Sequence, residues 1–388
     1  MKNTVLKISS LALLLCMPAC KKNEGNITTS DNQTLNKKAK KEKVSNISNK
    51  VTTYGWRKFK KSDFDFEHRD YNTVLHGISR KNFAALDKFV ASFDEEYPSG
   101  KTKRSTFYHI FRNYDSINNV DPAKWFPTYV ANLKEWKKSG NHPEVATIAL
   151  AHFYINMAWY YRGNGYADAV SAQSWKKFHS YINKAKEEID GSKLDLSTDP
   201  EYFTMKIILD RASDPDVKST MDTFKEGQKK HPDYLPLYTE MNDFLQEKWH
   251  GESEKQWHEF LSTSLTEAKF SEIQKKIIYS AIVKINVRPL VREYDLNTVC
   301  EYFSINQRDY LKGLELRCEA HPDSTTHADS FLYYAHLLND EEATIQALKL
   351  TKGCYNAQRW KKHTWFNHLD KIMATFPKTK PLIRLDQN

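Results

Sequence analysis

Residues 146–161 are the stretch that most restricts how this chain can fold. They read ATIALAHFYINMAWYY, and only Thr147, His152 and Asn156 interrupt the run of apolar side chains. At helical spacing such a run is apolar on every face, so the helix must be covered on all sides by protein or by lipid. The run is shorter than the ~20 residues that span a bilayer, and its imidazole and amide would need partners in hydrocarbon. It therefore predicts a central helix buried in protein.

Helical spacing recurs along the rest of the chain after residue 62. Apolar residues follow each other at intervals of three and four, which is typical of one face of an amphipathic helix. Runs of strict alternation bounded by Asn-Gly or Asp-Gly turns, the pattern of paired strands, are missing. We therefore predict an all-α fold. The predicted buried faces are Phe83, Leu86, Phe89, Val90, Phe93 and Tyr97; Phe270, Ile273, Ile277, Ala281 and Ile285; and Phe366, Leu369, Ile372, Met373 and Phe376.

A His-Pro dipeptide followed by an acidic residue occurs three times, at His142, His231 and His321, with spacings of 89 and 90 positions. Each copy lies between the polar end of one predicted helix and the apolar start of the next. Proline is tolerated in a first helical turn, and an acidic residue there favours the positive helix start. We therefore predict three matching helix-to-helix junctions and stacked helical pairs.

The first twenty residues carry an export pattern. Lys2 and Lys7 precede an apolar stretch, Ile8–Met17, and the small residue Ala19 precedes Cys20. This segment resembles the lipobox of bacterial lipoproteins, although residue 17 is methionine where leucine is usual. The resemblance implies that residues 1–19 are a signal peptide and that Cys20 is lipidated and becomes the new N-terminus. Ordinary secretion with an incidental cysteine is the alternative.

Residues 20–61 are rich in Asn, Lys, Ser and Thr and nearly free of apolar side chains. This composition cannot bury enough surface to offset its ordering entropy, so we predict a disordered tether. Of the 58 Lys and Arg and the 49 Asp and Glu, 14 and 3 lie in residues 1–61, and the net charge of +9 comes from that segment. The remaining chain lacks a clustered basic stripe, so we expect no nucleic-acid partner. The tether either attracts anionic lipid or is a solvated linker.

Two kinds of segment resemble known helical-repeat families. KEGQKKHPDYLPLY and LELRCEAHPDSTTHADSFLYYAHL look like tetratricopeptide-type helix ends, without the regular repeat of that family. NFAALDKFV, AWYYRGNGY and EKWHGE, in that order, resemble a bacterial domain-of-unknown-function family with tetratricopeptide-like helices, over roughly residues 74–265. The resemblance implies irregular stacked helical hairpins, that is, a tetratricopeptide-like α-α superhelix. The family has no assigned activity, so the resemblance assigns no catalytic residues. We expect a helical-repeat domain at 62–288 and further hairpins, continuous with it, at 289–388.

The segment AWYYRGNGYADAV joins the end of the buried run to the next predicted helix. Gly163 and Gly165 favour a turn, because glycine adopts left-handed backbone angles that side chains resist. Arg162 leaves a buried helix and needs a carboxylate, for which Asp87 and Asp168 are the candidates. A functional anion site at this arginine is the alternative to a structural corner. The pattern does not match a dinucleotide-binding loop, since the third glycine and the preceding strand are missing.

His250, Glu254 and His258 are spaced at four residues, which on one helix would place two imidazoles and a carboxylate on one face. We favour a structural role for them, because Gly251 interrupts the helical pattern and neither an H-E-x-x-H motif nor a convincing third ligand is present. Zinc is the alternative, and we expect no resident cofactor. Past Cys20 the cysteines are odd in number and form no C-x-x-C pair, so no disulfide framework is implied.

No complete catalytic motif occurs in the chain, including G-x-S-x-G and the Ser-x-x-Lys set. A tether followed by stacked helices indicates a lipid-anchored protein of the bacterial cell envelope, expected at the outer membrane facing the periplasm, that binds a protein or peptide as a scaffold. The alternative is an envelope hydrolase of peptidoglycan or polysaccharide that uses the Arg162 corner or the histidine set. The chain has 9 Trp, 21 Tyr and 20 Phe, and a groove lined by such rings would suit an extended peptide or a glycan.

Overall fold

The structure, a computed structural model, describes residues 63–96, 101–112, 122–163, 167–213, 215–268, 270–322, 324–351, 354–356, 360, 366–375 and 383–385. The predicted signal peptide, Cys20 and the predicted tether lie outside them. Within the described residues the chain is helical apart from turns and two three-residue strands. The predicted all-α fold of helical hairpins is confirmed.

The chain divides into two compact units, one spanning Lys61–His327 and the other including Ala328–Asn388. The boundary between the units falls within helix α14, and the domain boundary expected at 288/289 falls within α11 and stays a prediction. The α-helices of the first unit are α1 (Asp63–Ser79), α2 (Phe83–Val90), α3 (Lys103–Arg112), α4 (Pro122–Ser139), α5 (Pro143–Arg162), α6 (Ala172–Asp190), α7 (Glu201–Arg211), α8 (Val217–Lys230), α9 (Leu235–Phe244), α10 (Gln256–Glu267), α11 (Glu272–Leu290), α12 (Leu296–Phe303), α13 (Gln307–Ala320) and the start of α14 (Thr325–Leu337).

Helix α5 is the buried centre of the first unit, as the apolar run predicts. Its N-cap is His142 and its first residue is Pro143, whose missing N–H would have no intrahelical partner at that position. Every residue from Val145 to Ala158 is buried. Helices α3, α4, α6 and α7 pack around it. An apolar surface on all sides is thereby covered by protein.

The predicted apolar faces are confirmed in α2, where Leu86, Phe89 and Val90 are buried, but not in α11. Ala281 of α11 is buried as predicted, but Ile273 and Ile285 are 56% and 41% exposed, so the predicted face is wrong at these two positions.

The buried side of α11 is decided by its close packing against α13. A Cβ on Gly313 of α13 would lie 2.0 Å from the carbonyl oxygen of Lys276 and 2.6 Å from the Cβ of Ser280. The two helices therefore meet backbone to backbone, and the residues next to this contact, Ile278 to Val283, are buried. The apolar spacing misses this face because small and polar residues make the contact.

The three His-Pro junctions share one backbone geometry. The φ and ψ angles are −128° and 63° at His142, −135° and 65° at His231, and −126° and 67° at His321. Proline starts a helix only at Pro143, whereas His231 and His321 are the C-caps of α8 and α13. The prediction of matching helix-to-helix junctions is confirmed, and the predicted place of proline in the first turn holds for one of them.

The second unit contains most of α14, then α15 (Glu341–Leu350), β1 (Cys354–Asn356), α16 (Phe366–Thr375) and β2 (Ile383–Leu385). The strands pair in parallel, with Cys354 opposite Ile383, and they are an addition to the predicted helices. Leu369 and Ile372 of α16 are buried, as predicted, and so is Trp360. None of the described helices in either unit combines the length and apolar character needed to cross a bilayer.

Candidate functional site

Helix α5 ends at Arg162, and Gly163 turns the chain. Gly163 has φ 72° and ψ −175°, a conformation that residues with a side chain rarely adopt. Its N–H donates to the carbonyl of Trp159 at 2.9 Å and closes the last helical turn. Gly165 lies outside the described residues. Asp168 is exposed in a short 3₁₀ helix, Ala167–Ala169, that precedes α6.

The guanidinium of Arg162 lies between two indole rings. Its central carbon is 5.4 Å from the ring centroid of Trp159 on α5 and 5.3 Å from that of Trp175 on α6. Nη1 donates to the carbonyl of Gly163 at 3.1 Å. Burial lowers the pKa of Arg162, but a guanidinium stays charged at neutral pH. The cation therefore joins the two helices through their aromatic side chains.

Asp87, a predicted partner of Arg162, makes its hydrogen bonds at another corner. Its carboxylate accepts from Nε1 of Trp136 at 2.9 Å, from Nδ2 of Asn141 at 2.8 Å and from the backbone N–H of Asn141 at 3.2 Å. This carboxylate therefore connects α2 to the end of α4.

Two stacked tyrosines continue the aromatic surface beside Arg162. The rings of Tyr161 on α5 and Tyr181 on α6 have centroids 5.4 Å apart and planes 8° apart. The ammonium of Lys177 lies 4.3 Å from the Tyr161 centroid, and that of Lys184 lies 4.7 Å from the Tyr181 centroid. We define the corner surface as Trp159, Tyr160, Tyr161, Arg162, Trp175, Lys177, Tyr181 and Lys184.

The corner surface is open to solvent although it borders the most buried helix. Tyr160 is 38% exposed, both lysines are exposed, and the other rings are half-buried. Aromatic rings offer contact area with little loss of side-chain entropy, and each ammonium has three N–H donors. A partner that carries carboxylates and apolar groups would match both features.

Trp249 connects this surface to the interior of the unit. Its ring centroid lies 5.9 Å from that of Trp159, at an interplanar angle of 76°. The guanidinium carbon of Arg211 lies 5.7 Å from the Trp249 centroid. Arg211 is in turn part of a buried ion cluster.

The ion cluster is centred on Glu240 of α9, between Arg112 of α3 and Arg211 of α7. Arg112 Nη1 contacts Oε1 of Glu240, and Arg211 Nη1 lies 2.9 Å from Oε2 and 3.4 Å from Oδ2 of Asp243. The side chain of Glu240 is 8% exposed, against 26% for Arg112 and 14% for Arg211. Burial alone would raise the pKa of Glu240, but the two cations more than offset it and lower the pKa.

A second buried group contains two of the three polar interruptions of the apolar run, His152 and Asn156. Nε2 of His152 lies 2.7 Å from Oε1 of Glu201, and the hydroxyl of Tyr234 donates to Oε2 at 2.6 Å. Burial lowers the pKa of His152 despite this carboxylate, so at neutral pH the ring is neutral and Nε2 donates. Asn156 Nδ2 donates to the carbonyl of Arg112 at 2.9 Å.

Asp199, just before α7, completes the buried polar layer. Its Oδ2 accepts from Nη1 of Arg104 and from the hydroxyl of Tyr108, both at 2.7 Å. Its Oδ1 accepts from the backbone N–H of Glu201 at 2.9 Å. Burial raises the pKa of Asp199, and the positive charge of Arg104 opposes that change. Together these groups tie α3, α5, α7 and α9 to one another.

Spacing and motif patterns do not predict this buried layer, and only one local signal in the sequence points to it. A histidine and an asparagine on an otherwise apolar helix need hydrogen-bond partners if the helix is buried. The partner of His152 is 49 positions away, and the contacts of Asp199 with Tyr108 and Arg104 span 91 and 95 positions. No spacing rule connects residues so far apart.

The three residues weighed as a metal set have separate partners. His250 stacks on Phe244 with centroids 4.7 Å apart, and Glu254 accepts from the hydroxyl of Tyr302 at 2.8 Å. Nε2 of His258 lies 3.0 Å from the hydroxyl of Tyr279. No group of three or more metal-ligating side chains is found among the described residues. Helix α10 begins only at Gln256, so the set does not lie on one helix.

Comparisons with protein-family models, with curated proteins and with solved structures find no match to this chain.

Proposed function

We propose that this protein is a helical scaffold that binds a protein or peptide segment at the corner surface. The observation that carries this proposal is a solvent-open set of aromatic rings with cations on their faces, formed jointly by α5 and α6. Binding hot spots in protein interfaces are enriched in Trp, Tyr and Arg. The corner surface is built from these residue types together with two lysines.

The proposed partner segment is acidic and carries apolar side chains. Lys177 and Lys184 lie on tyrosine faces and retain donors for carboxylates, while Arg162 adds a third positive charge. Asp168 is exposed in the 3₁₀ helix before α6, and its negative charge would repel an acidic partner. The acidic residues of the partner should therefore face the lysines and not Asp168. Charge complementarity of this kind fixes the register of a partner and speeds its approach.

The buried layer supports this surface from behind. Trp159 of the corner surface contacts Trp249, which contacts Arg211 of the ion cluster. A binding surface whose side chains are held by packing and ion pairs loses less entropy when a partner binds. The layer therefore acts here as a positioning device for the rings.

We further propose the cellular context that the N-terminal pattern predicts. Cys20 carries a lipid, residues 20–61 tether the helical body, and the protein is attached to a membrane of the bacterial cell envelope, at the outer membrane facing the periplasm. The resemblance to lipoproteins and to a tetratricopeptide-like family of unknown function supports this proposal.

Site-specific photocrosslinking in the native host tests the binding surface. Benzoylphenylalanine replaces Tyr160 in the corner surface, or Ile273 on α11 as a control that is also exposed. We expect a discrete polypeptide adduct from position 160 that position 273 does not give. The crosslinked segment, identified by mass spectrometry and synthesised, should bind the purified protein in fluorescence anisotropy.

Two changes separate specific recognition from general adhesion. Lys177→Gln with Lys184→Gln should weaken binding of the peptide about tenfold, roughly 1.4 kcal/mol in total. Replacing the acidic residues of the peptide by their amides should weaken its binding to the wild-type protein by a similar factor. The same replacement should change binding to the double lysine variant little. Adducts that are identical at both positions, or peptide binding that both changes leave intact, would refute the proposal.

Metabolic labelling with an alkyne fatty acid tests the anchor. The wild type should incorporate the label and Cys20→Ala should not. Equal labelling of the two proteins would show that lipid is attached elsewhere.

A further inference from the structure

A cleft of about 450 Å³ lies at the end of the α5–α6 hairpin opposite the corner surface. Pro143, the first residue of α5, lines it together with the end of α4 and the segment Gly191–Leu194 that follows α6. Helix α5 has 20 residues, so this end lies about 30 Å from Arg162. The cleft is therefore separate from the part of the corner surface around Arg162, whereas Lys184, at the edge of that surface, lies one helical turn before Glu188 of α6.

Four lysines and one carboxylate line this cleft. Lys134, Lys137 and Lys138 come from α4 and Lys193 from the segment after α6, and the carboxylate is Glu188 of α6. Glu188 is bound by Lys137, with Nζ and Oε2 2.8 Å apart. Among the described residues, the other three lysines form no ion pair. The cleft thus presents three exposed ammonium groups without a protein counter-charge.

This arrangement is unfavourable for the protein alone and favourable for a bound anion. Like charges that share a concave surface repel one another, and a cleft lined by one sign of charge focuses the field on an ion of the other sign. A carboxylate brings one negative charge, whereas a phosphoryl group brings about −1.5 to −2 and three acceptor oxygens. Lysine binds phosphate as a point charge, without the planar geometry that arginine imposes.

We propose that the lysine cleft, formed by Lys134, Lys138 and Lys193 around Pro143, binds a phosphoryl group. Its volume is within the ~300–1,000 Å³ typical of small-ligand sites, so a phosphorylated small molecule fits. The phosphodiester of an anionic lipid headgroup carries one negative charge and two free acceptor oxygens, and several such headgroups at a membrane surface together offer comparable negative charge. The open mouth of the cleft admits either source, and the assay below distinguishes them.

Calorimetric titration of the full-length protein with pyrophosphate, at low and at 0.15 M salt, tests the first source. Lys134→Gln, Lys138→Gln and Lys193→Gln are combined in one variant, and circular dichroism checks its fold. We expect the dissociation constant for pyrophosphate to rise at least about tenfold in this variant. The wild-type affinity should fall with added salt, since the Debye length shrinks to about 8 Å.

A matched control removes the same charge elsewhere. Lys218, Lys225 and Lys229 are exposed lysines of α8, and their combined replacement by Gln should change the dissociation constant less than about threefold.

Co-sedimentation with vesicles of phosphatidylglycerol, compared with vesicles of phosphatidylcholine, tests the lipid source on the same proteins. All variants carry the same basic N-terminal segment, so differences between them come from the substituted lysines. Binding to phosphatidylglycerol that only the cleft variant loses, without pyrophosphate binding, assigns the site to a lipid headgroup. The proposal is overturned if the cleft variant and the α8 variant weaken binding equally. It is also overturned if the cleft variant binds both pyrophosphate and vesicles as tightly as the wild type. Neither result depends on the corner surface.

Discussion

Removal of the Glu240 side chain is the sharpest test of the buried layer. Glu240→Ala leaves Arg112 and Arg211 without the carboxylate that both contact. Breaking a buried ion pair by deleting one partner costs about 3–5 kcal/mol, because an uncompensated charge stays buried. Arg112 is 26% exposed and Arg211 keeps Asp243 at 3.4 Å, so water and this second acid offset part of the loss. We expect a loss near the low end, about 3 kcal/mol.

Urea denaturation followed by tryptophan fluorescence gives the free energy of unfolding for this comparison. Asp222→Ala is the matched control, because it breaks an exposed ion pair with Lys218 whose side chains are 60% and 81% exposed. That change should alter the free energy by less than about 1 kcal/mol. A loss below about 1 kcal/mol in Glu240→Ala would refute the argument that this buried carboxylate stabilises the fold by pairing with Arg112 and Arg211.

A compensating variant checks the cause of the loss. Arg112→Met, Glu240→Leu and Arg211→Met together remove three charges and keep apolar volume, and Asp243, which loses Arg211, is 35% exposed and keeps contact with water. Well-packed apolar replacements of buried ionic groups are often neutral or stabilising, so the triple variant should recover most of the free energy lost in Glu240→Ala. A triple variant as unstable as Glu240→Ala would show that shape, and not unpaired charge, causes the loss.

Three further predictions concern single groups. The pKa of His152 is lowered by burial, so the unfolded chain takes up the proton first as pH falls below the ordinary value of 6.5, and the free energy of unfolding should decrease there. In His152→Gln this decrease should be smaller in urea titrations at a series of pH values; an unchanged slope would contradict it. Burial raises the pKa of Cys300 and of Cys318 to about 12, so mass spectrometry should find both thiols unalkylated by iodoacetamide at pH 8 until urea is added. Gly163→Ala should lower the free energy of unfolding by about 1–3 kcal/mol in the same urea assay. The loss would come from backbone conformation alone, because a Cβ at residue 163 meets no atom within 4 Å. An unchanged free energy would show that the turn adopts another backbone conformation.

Several local features of the fold follow from the sequence because their causes are local. The run at 146–161 is apolar on every face, and α5 is buried through its centre. The His-Pro dipeptides lie at helix junctions with one backbone geometry, and a glycine with positive φ follows Arg162. Each of these features depends on side-chain spacing or backbone preference within a few residues, which the sequence displays directly.

The candidate sites depend on which helices become neighbours. Arg112 and Glu240 are 128 positions apart, and Asp87, one of the two carboxylates expected for Arg162, is joined to α4 instead, while two indole rings flank that arginine. The buried side of α11 likewise followed from the backbone contact at Gly313 and not from apolar spacing.

Local features can be predicted from the sequence and the candidate sites cannot, because the interactions that form them act over different separations along the chain. Helix formation and amphipathic burial are encoded by residues three and four apart, so the sequence alone determined the helices and the central buried one. Ion pairs, ring stacking and clefts are made between helices whose packing depends on the whole core. Only the tertiary structure decided that lysines of α4 and of the segment after α6 share one cleft, and that α5 and α6 combine their rings in one surface.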